Sequence, residues 1–125
     1  MSREGSTVYT KISEKSHSPL IVRKYVRLGY PVFVALITDD DIDDLDKHLV
    51  EEEKFFDEPP RGLEECRKLA GRMMDSLVGK YKRAEGVAVL IFADKYVVSS
   101  LWGDFMTHQM CRDELYNIIN IMTKV

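Results

Sequence analysis

The chain has 125 residues, 45% of them hydrophobic and 31% charged, with a formal net charge of −3. That balance excludes disordered and fibrous classes, and the length suits one domain, 1–125, able to bury a core without disulfide or metal staples. No apolar run approaches the ~20 residues of a transmembrane helix, the first residues lack the apolar stretch of a secretory signal, and two cysteines, Cys66 and Cys111, make no disulfide framework. The expectation is a cytoplasmic, reducing compartment with no membrane partner.

The charge is unevenly spread. Residues 1–30 sum to +4, residues 31–60 to −9 and residues 61–125 to +2. An acidic band between basic flanks favours self-association or a basic protein partner and argues against a continuous nucleic-acid face.

In chain order, residues 1–6 are expected to be disordered. Residues 7–12 alternate β-branched and polar side chains and read as a strand. Residues 20–28 alternate as well, with Leu20, Val22, Val26 and Leu28 on one face and Ile21, Arg23, Tyr25 and Arg27 on a wet one. A tight turn at 28–31 leads to residues 32–38, apolar through Ile37 and so expected inside the sheet.

Six aspartates follow within eight positions: Asp39, Asp40, Asp41, Asp43, Asp44 and Asp46. Thr38 with Asp41 approximates a capping box, which predicts a helix starting there, with Ile42, Leu45 and Leu49 docking it and Asp43–Lys47 and Asp44–His48 as surface pairs. Phe55 and Phe56 are expected to tuck back on the core before Pro59 and Pro60 end the segment.

From Leu63 to Tyr81 apolar residues recur at three- and four-residue steps, the clearest helix in the chain. Lys80, Lys82 and Arg83 suit the negative end of its dipole. Residues 87–93 form a second apolar strand, 96–102 its hairpin partner, and Asp104 caps a last helix over 105–122. The predicted fold is α+β: about five strands, antiparallel or mixed, with three helices in the order β-β-β-α-α-β-β-α.

The aspartates offer oxygen ligands at the end of a central strand, which suits Mg²⁺ or Ca²⁺ held by Asp39, Asp41 and Asp43. A calcium-loop register starting at Asp39 then fails, because Asp44 stands where the glycine belongs and Val50 where the bidentate glutamate belongs. The plainer reading is a charged helix start, and no metal or other cofactor is assigned. Cys66, His108 and Cys111 suggest zinc only if their helices are neighbours; buried thiols are ordinary core residues. Ser99 and Ser100, with His17, His48 or His108 as base, lack the glycines of a nucleophile elbow.

Two surfaces remain. Asp39, Asp40, Asp43 and Asp44, within an acidic stretch over 39–58, are candidate partner-binding residues together with Arg23, Tyr25 and Arg27, whose strand face could answer the acidic segment of a second copy. Tyr96, Trp102, Phe105 and Met106 are the candidate dimer interface, since aromatic residues and Met are enriched there. With no complete catalytic set, the first expectation is a non-enzymatic protein-binding or regulatory domain acting as a homodimer. The alternatives are an Mg²⁺-dependent, nuclease-like phosphoryl-transfer enzyme using Asp39 and Asp41, and a nucleic-acid module using Arg23, Tyr25 and Arg27.

Overall fold

Two apolar strands distant in sequence meet at the centre of the sheet, and each of its faces is covered by helices. The computed structural model describes residues 6–11, 18–27, 30–53 and 60–123, with side chains over 18–24, 30–52 and 60–123. The strands are β1 (Ser6–Lys11), β2 (Pro19–Arg27), β3 (Tyr30–Ile37), β4 (Gly86–Phe92) and β5 (Val97–Gly103). They pair antiparallel in the order β1-β2-β3-β4-β5, and the described strand side chains belong to β2 through β5. The helices are α1 (Leu45–Glu53), α2 (Gly62–Lys80), α3 (Asp104–Thr107) and α4 (Gln109–Thr123). The α+β class holds, in its antiparallel form, with four helices among the described residues rather than three.

β3 and β4 are buried almost throughout, because each carries apolar side chains to both faces. One face sends Val32, Val34, Leu36, Val87, Val89 and Ile91 into a core with Leu45 and Leu49 of α1 and Cys66, Leu69, Met73 and Leu77 of α2. The other sends Phe33, Ala35, Ile37, Ala88 and Leu90 against Phe105 of α3 and Cys111, Leu115, Ile118 and Ile119 of α4. Ile21, expected on a wet face of β2, is only 4% exposed. The layer of α1 and α2 covers that face as well, and Tyr30 and Pro31, expected in a turn, already belong to β3.

The last helix is divided. His108 is extended (φ −124°, ψ 115°) between α3 and α4. Arg112 bridges the break, its guanidinium donating to the carbonyls of Phe105 (2.8 Å) and Met106 (2.9 Å), which the interrupted helix leaves without ladder partners. Gly103 rather than Asp104 occupies the N-cap position of α3. Its φ of +68° favours glycine, and an added Cβ would lie 2.3 Å from the Glu85 carbonyl oxygen.

Candidate functional site

The acidic segment is a loop and not a helix start. Thr38 is fully buried and still tied to the sheet, its N–H donating to the Pro19 carbonyl at 3.2 Å. Its hydroxyl accepts the Asp40 N–H at 3.0 Å, and the Asp41 carboxylate accepts the Asp43 N–H at 2.8 Å. Side chains that capture backbone donors two residues on offer the chain a turn in place of a helix. α1 therefore begins at Leu45, and only Asp46 lies in its first turn.

Three of these six carboxylates, Asp39, Asp44 and Asp46, meet cations of the same chain, and Asp40 accepts a backbone N–H. Asp39 accepts from the Arg83 guanidinium at 2.8 Å, and Asp40 accepts the Arg83 N–H at 3.2 Å. Asp44 binds Lys80 at 2.7 Å and accepts the Tyr81 hydroxyl at 3.0 Å. The Lys80 ammonium, then the Tyr81 hydroxyl, hold the Asp44 carboxyl below the usual carboxylate range. Tyr81 is pushed the other way, first by burial and then by the carboxylate it donates to. Asp46 forms a two-point ion pair with Arg23 of β2, and Glu52 meets Arg72 of α2 at 3.2 Å. The expected Asp44–His48 surface pair gives way to these contacts, with His48 Nε2 placed 2.6 Å from the Ser76 hydroxyl.

Asp41 and Asp43 remain exposed. Asp39, Asp41 and Asp43 do not gather on a common point: among the described residues no three His, Cys, Asp or Glu side chains form a group able to hold a metal ion. Cys66 and Cys111 lie in the cores on opposite faces of the sheet, which separates the expected zinc ligands. Burial raises both thiols, the Cys66 sulfur sharing a hydrogen bond with the Tyr96 hydroxyl.

A hollow of about 190 Å³ lies beside this network, lined by Asp44, Lys47, His48, Glu51 and Lys80. A shallower groove along α2 is lined by Arg67, Lys68, Gly71, Arg72, Asp75, Ser76 and Glu52. His48 and Ser76 have the spacing of a base and a nucleophile. Ser76 sits inside α2, however, where the neighbouring N–H groups are spent on the helix ladder and none is left to hold an oxyanion.

Of the expected basic face, Arg23 is engaged by Asp46. Tyr25 and Arg27 pair with Val32 and Tyr30 in the β2–β3 register, and their side chains lie outside the described residues, as do Phe55 and Phe56. Of the expected interface, Phe105 is fully enclosed: it packs into the core of its own chain and leaves that surface. Tyr96 is half-buried against the α2 layer. Trp102 is 37% exposed and Met106 62%.

Trp102 belongs to β5, which among the described strands pairs with β4 alone, and Met106 belongs to α3, which follows it. Among the described residues no further strand covers the outer edge of β5. The strand reads VVSSLWG, with no charge and no proline. Its register with β4 runs unbroken from Gly86–Gly103 to Phe92–Val97. Sequence reasoning missed the cations that neutralise the acidic loop. Lys80 and Arg83 were visible as charges at the end of α2, but the pairing needed the antiparallel β3–β4 contact that sets Asp39 and Asp40 beside Arg83. No protein-family model matches the chain, and no curated protein is significantly similar to it.

Proposed function

We propose that the protein is a non-enzymatic binding domain that works as a homodimer. One observation carries this reading: among the described residues no strand pairs with the outer edge of β5, which carries no charge and no proline. Natural edge strands are usually blunted by charge, proline, a bulge or extreme shortness, because unpaired backbone donors and acceptors recruit another strand. β5 is seven residues long, uncharged and regular, with exposed Trp102 and Met106 beside it.

Both faces of β3 and β4 are covered by the chain's own helices, so the opening for a partner is taken to be a sheet edge and not a face of these central strands. The ion pairs within the acidic loop weigh in the same direction, since carboxylates bound to Arg83, Lys80 and Arg23 are occupied with holding α1 and the loop to α2 and β2. Asp41 and Asp43 supply the remaining acidic surface for a basic partner.

Light scattering at micromolar concentration is expected to give twice the 14.5 kDa chain mass. A monomeric mass across that range overturns the reading.

A further inference from the structure

α3 is fixed to the core by a single side chain. Of its four residues only Phe105 is buried, while Met106 and Thr107 are exposed and Asp104 is half-buried. The Phe105 ring lies over the backbone of Gly86, where an added Cβ would come within 3.1 Å of it. The other attachments are polar and near water. Arg112 of α4 holds the Phe105 and Met106 carbonyls and also donates to the Gln109 amide oxygen at 2.6 Å. The Thr107 hydroxyl donates to the Gly103 carbonyl at 3.4 Å, and the His108 ring stands 3.9 Å from the Asp104 carboxylate. The Asp104 N–H, bonded to the Glu85 carbonyl at 2.9 Å, is the last tie to the sheet. On either side the backbone leaves helical geometry, at Gly103 (φ +68°, ψ −131°) and at extended His108.

A segment with one buried anchor and exposed hydrogen bonds belongs to the low-stability end of a fold, where opening costs far less than global unfolding. We propose that α3 is a hinged strap, opening between Gly103 and His108 with Arg112 as its clasp, and that its opening gates access to the core around Cys111. This device is separate from the homodimer reading and does not rest on it.

Cys111 is fully enclosed in the same apolar cluster as Phe105 and Leu115, in the first turn of α4. Its thiol lies close enough to feel the Asp104 carboxylate and the Arg112 guanidinium. Its N–H donates to the His108 carbonyl at 3.1 Å, so a swing at His108 loosens the turn that carries it. Cys66 supplies the contrast. It is equally enclosed, in the core on the other face of the sheet. Exposing it requires lifting α2, a helix of 19 residues with five buried side chains. The strap therefore makes one of two buried thiols reactive without unfolding the chain.

Labelling of the full chain with a small aromatic disulfide reagent, resolved by peptide mass spectrometry, tests the strap. Cys111 is expected to react about tenfold faster than Cys66, as local opening outpaces global unfolding. Its rate should change little in sub-denaturing urea, because a local opening exposes little surface, whereas the Cys66 rate should climb steeply. Arg112→Met keeps most of the side-chain length and removes the donors. It should raise the ratio of the Cys111 rate to the Cys66 rate about tenfold, from the lost charged hydrogen bonds. The ratio separates a loosened strap from a fold weakened everywhere. Phe105→Leu, a weaker anchor, should move the ratio the same way and carries the test if Arg112→Met does not fold. Equal urea dependence of the two thiols, a slower Cys111, or a ratio that the folded variants leave unchanged overturns the proposal.

Discussion

Asp44 shows how a single residue of a charge run is selected by its surroundings. Its carboxylate is stabilised by Lys80 and by the Tyr81 hydroxyl, so its folded pKa lies below the ordinary value of 3.8. A depressed carboxylate contributes stability that is present above its unfolded pKa and lost as pH falls through the folded one. Asp44→Asn is therefore expected to flatten the fall in urea midpoint between about pH 5 and about pH 2. Tyr81 behaves oppositely. Its folded pKa is raised above the ordinary 10.0, so its contribution is complete below that pH and disappears as pH climbs beyond it. Tyr81→Phe should cost about 1 kcal/mol at neutral pH through the lost hydrogen bond. It should also blunt the alkaline loss that begins near pH 10, the thiols of Cys66 and Cys111 continuing to contribute from about pH 9. Equal alkaline slopes for Tyr81→Phe and its parent would remove Tyr81 from this account. The aspartates were legible as an electrostatic feature, but not as a loop. The capping pattern at Thr38 and Asp41 was real as local chemistry, yet Thr38 was still held by the sheet through Pro19, and that contact is not encoded nearby in the sequence.

At the scale of the element, periodicity was informative and boundaries were not. The stripe from Leu63 to Tyr81 placed α2 almost to its ends, because one apolar face over about five turns has a single interpretation. The break at His108 left no such trace: its apolar stripe continues through Cys111 and Leu115, and only the geometry around Gly103 forces α3 to turn in first. That geometry gives a sharp expectation. Gly103→Ala should destabilise on the order of 3 kcal/mol, measured by urea unfolding, from positive φ and the collision with the Glu85 carbonyl together. The neighbours Phe105 and Met106 separate the two roles of the same turn. Phe105→Ala should cost about 3–5 kcal/mol by opening a cavity between β4 and α4, whereas Met106→Ala should leave monomer stability within about 0.5 kcal/mol. Comparable losses for both would contradict the burial difference on which the assignment of Met106 to the surface depends.

For the molecule as a whole, the α+β class followed from alternating strands, two apolar runs and two helical stripes, while the division of the last helix did not. Which faces the helices cover did not follow either. β3 and β4 read equally well as strands completed by a second chain, and only the docking of α1 and α2 on one side and α3 and α4 on the other closes both layers within one chain. The β5 edge was hidden for a related reason: its residues look like any hairpin partner, and its lack of a second neighbour among the described residues is a property of sheet order.

The adjacency of β3 and β4 has a kinetic meaning as well. Ile37 lies opposite Gly86, so zipping the middle of the sheet requires closing the whole excursion that holds α1 and α2. The outer ladders, β2 on β3 and β4 on β5, each span a short connection and can nucleate as local hairpins. The ring-closure entropy falls on the central seam, so that seam, and not the periphery, is the expected slow step on the way to the native form.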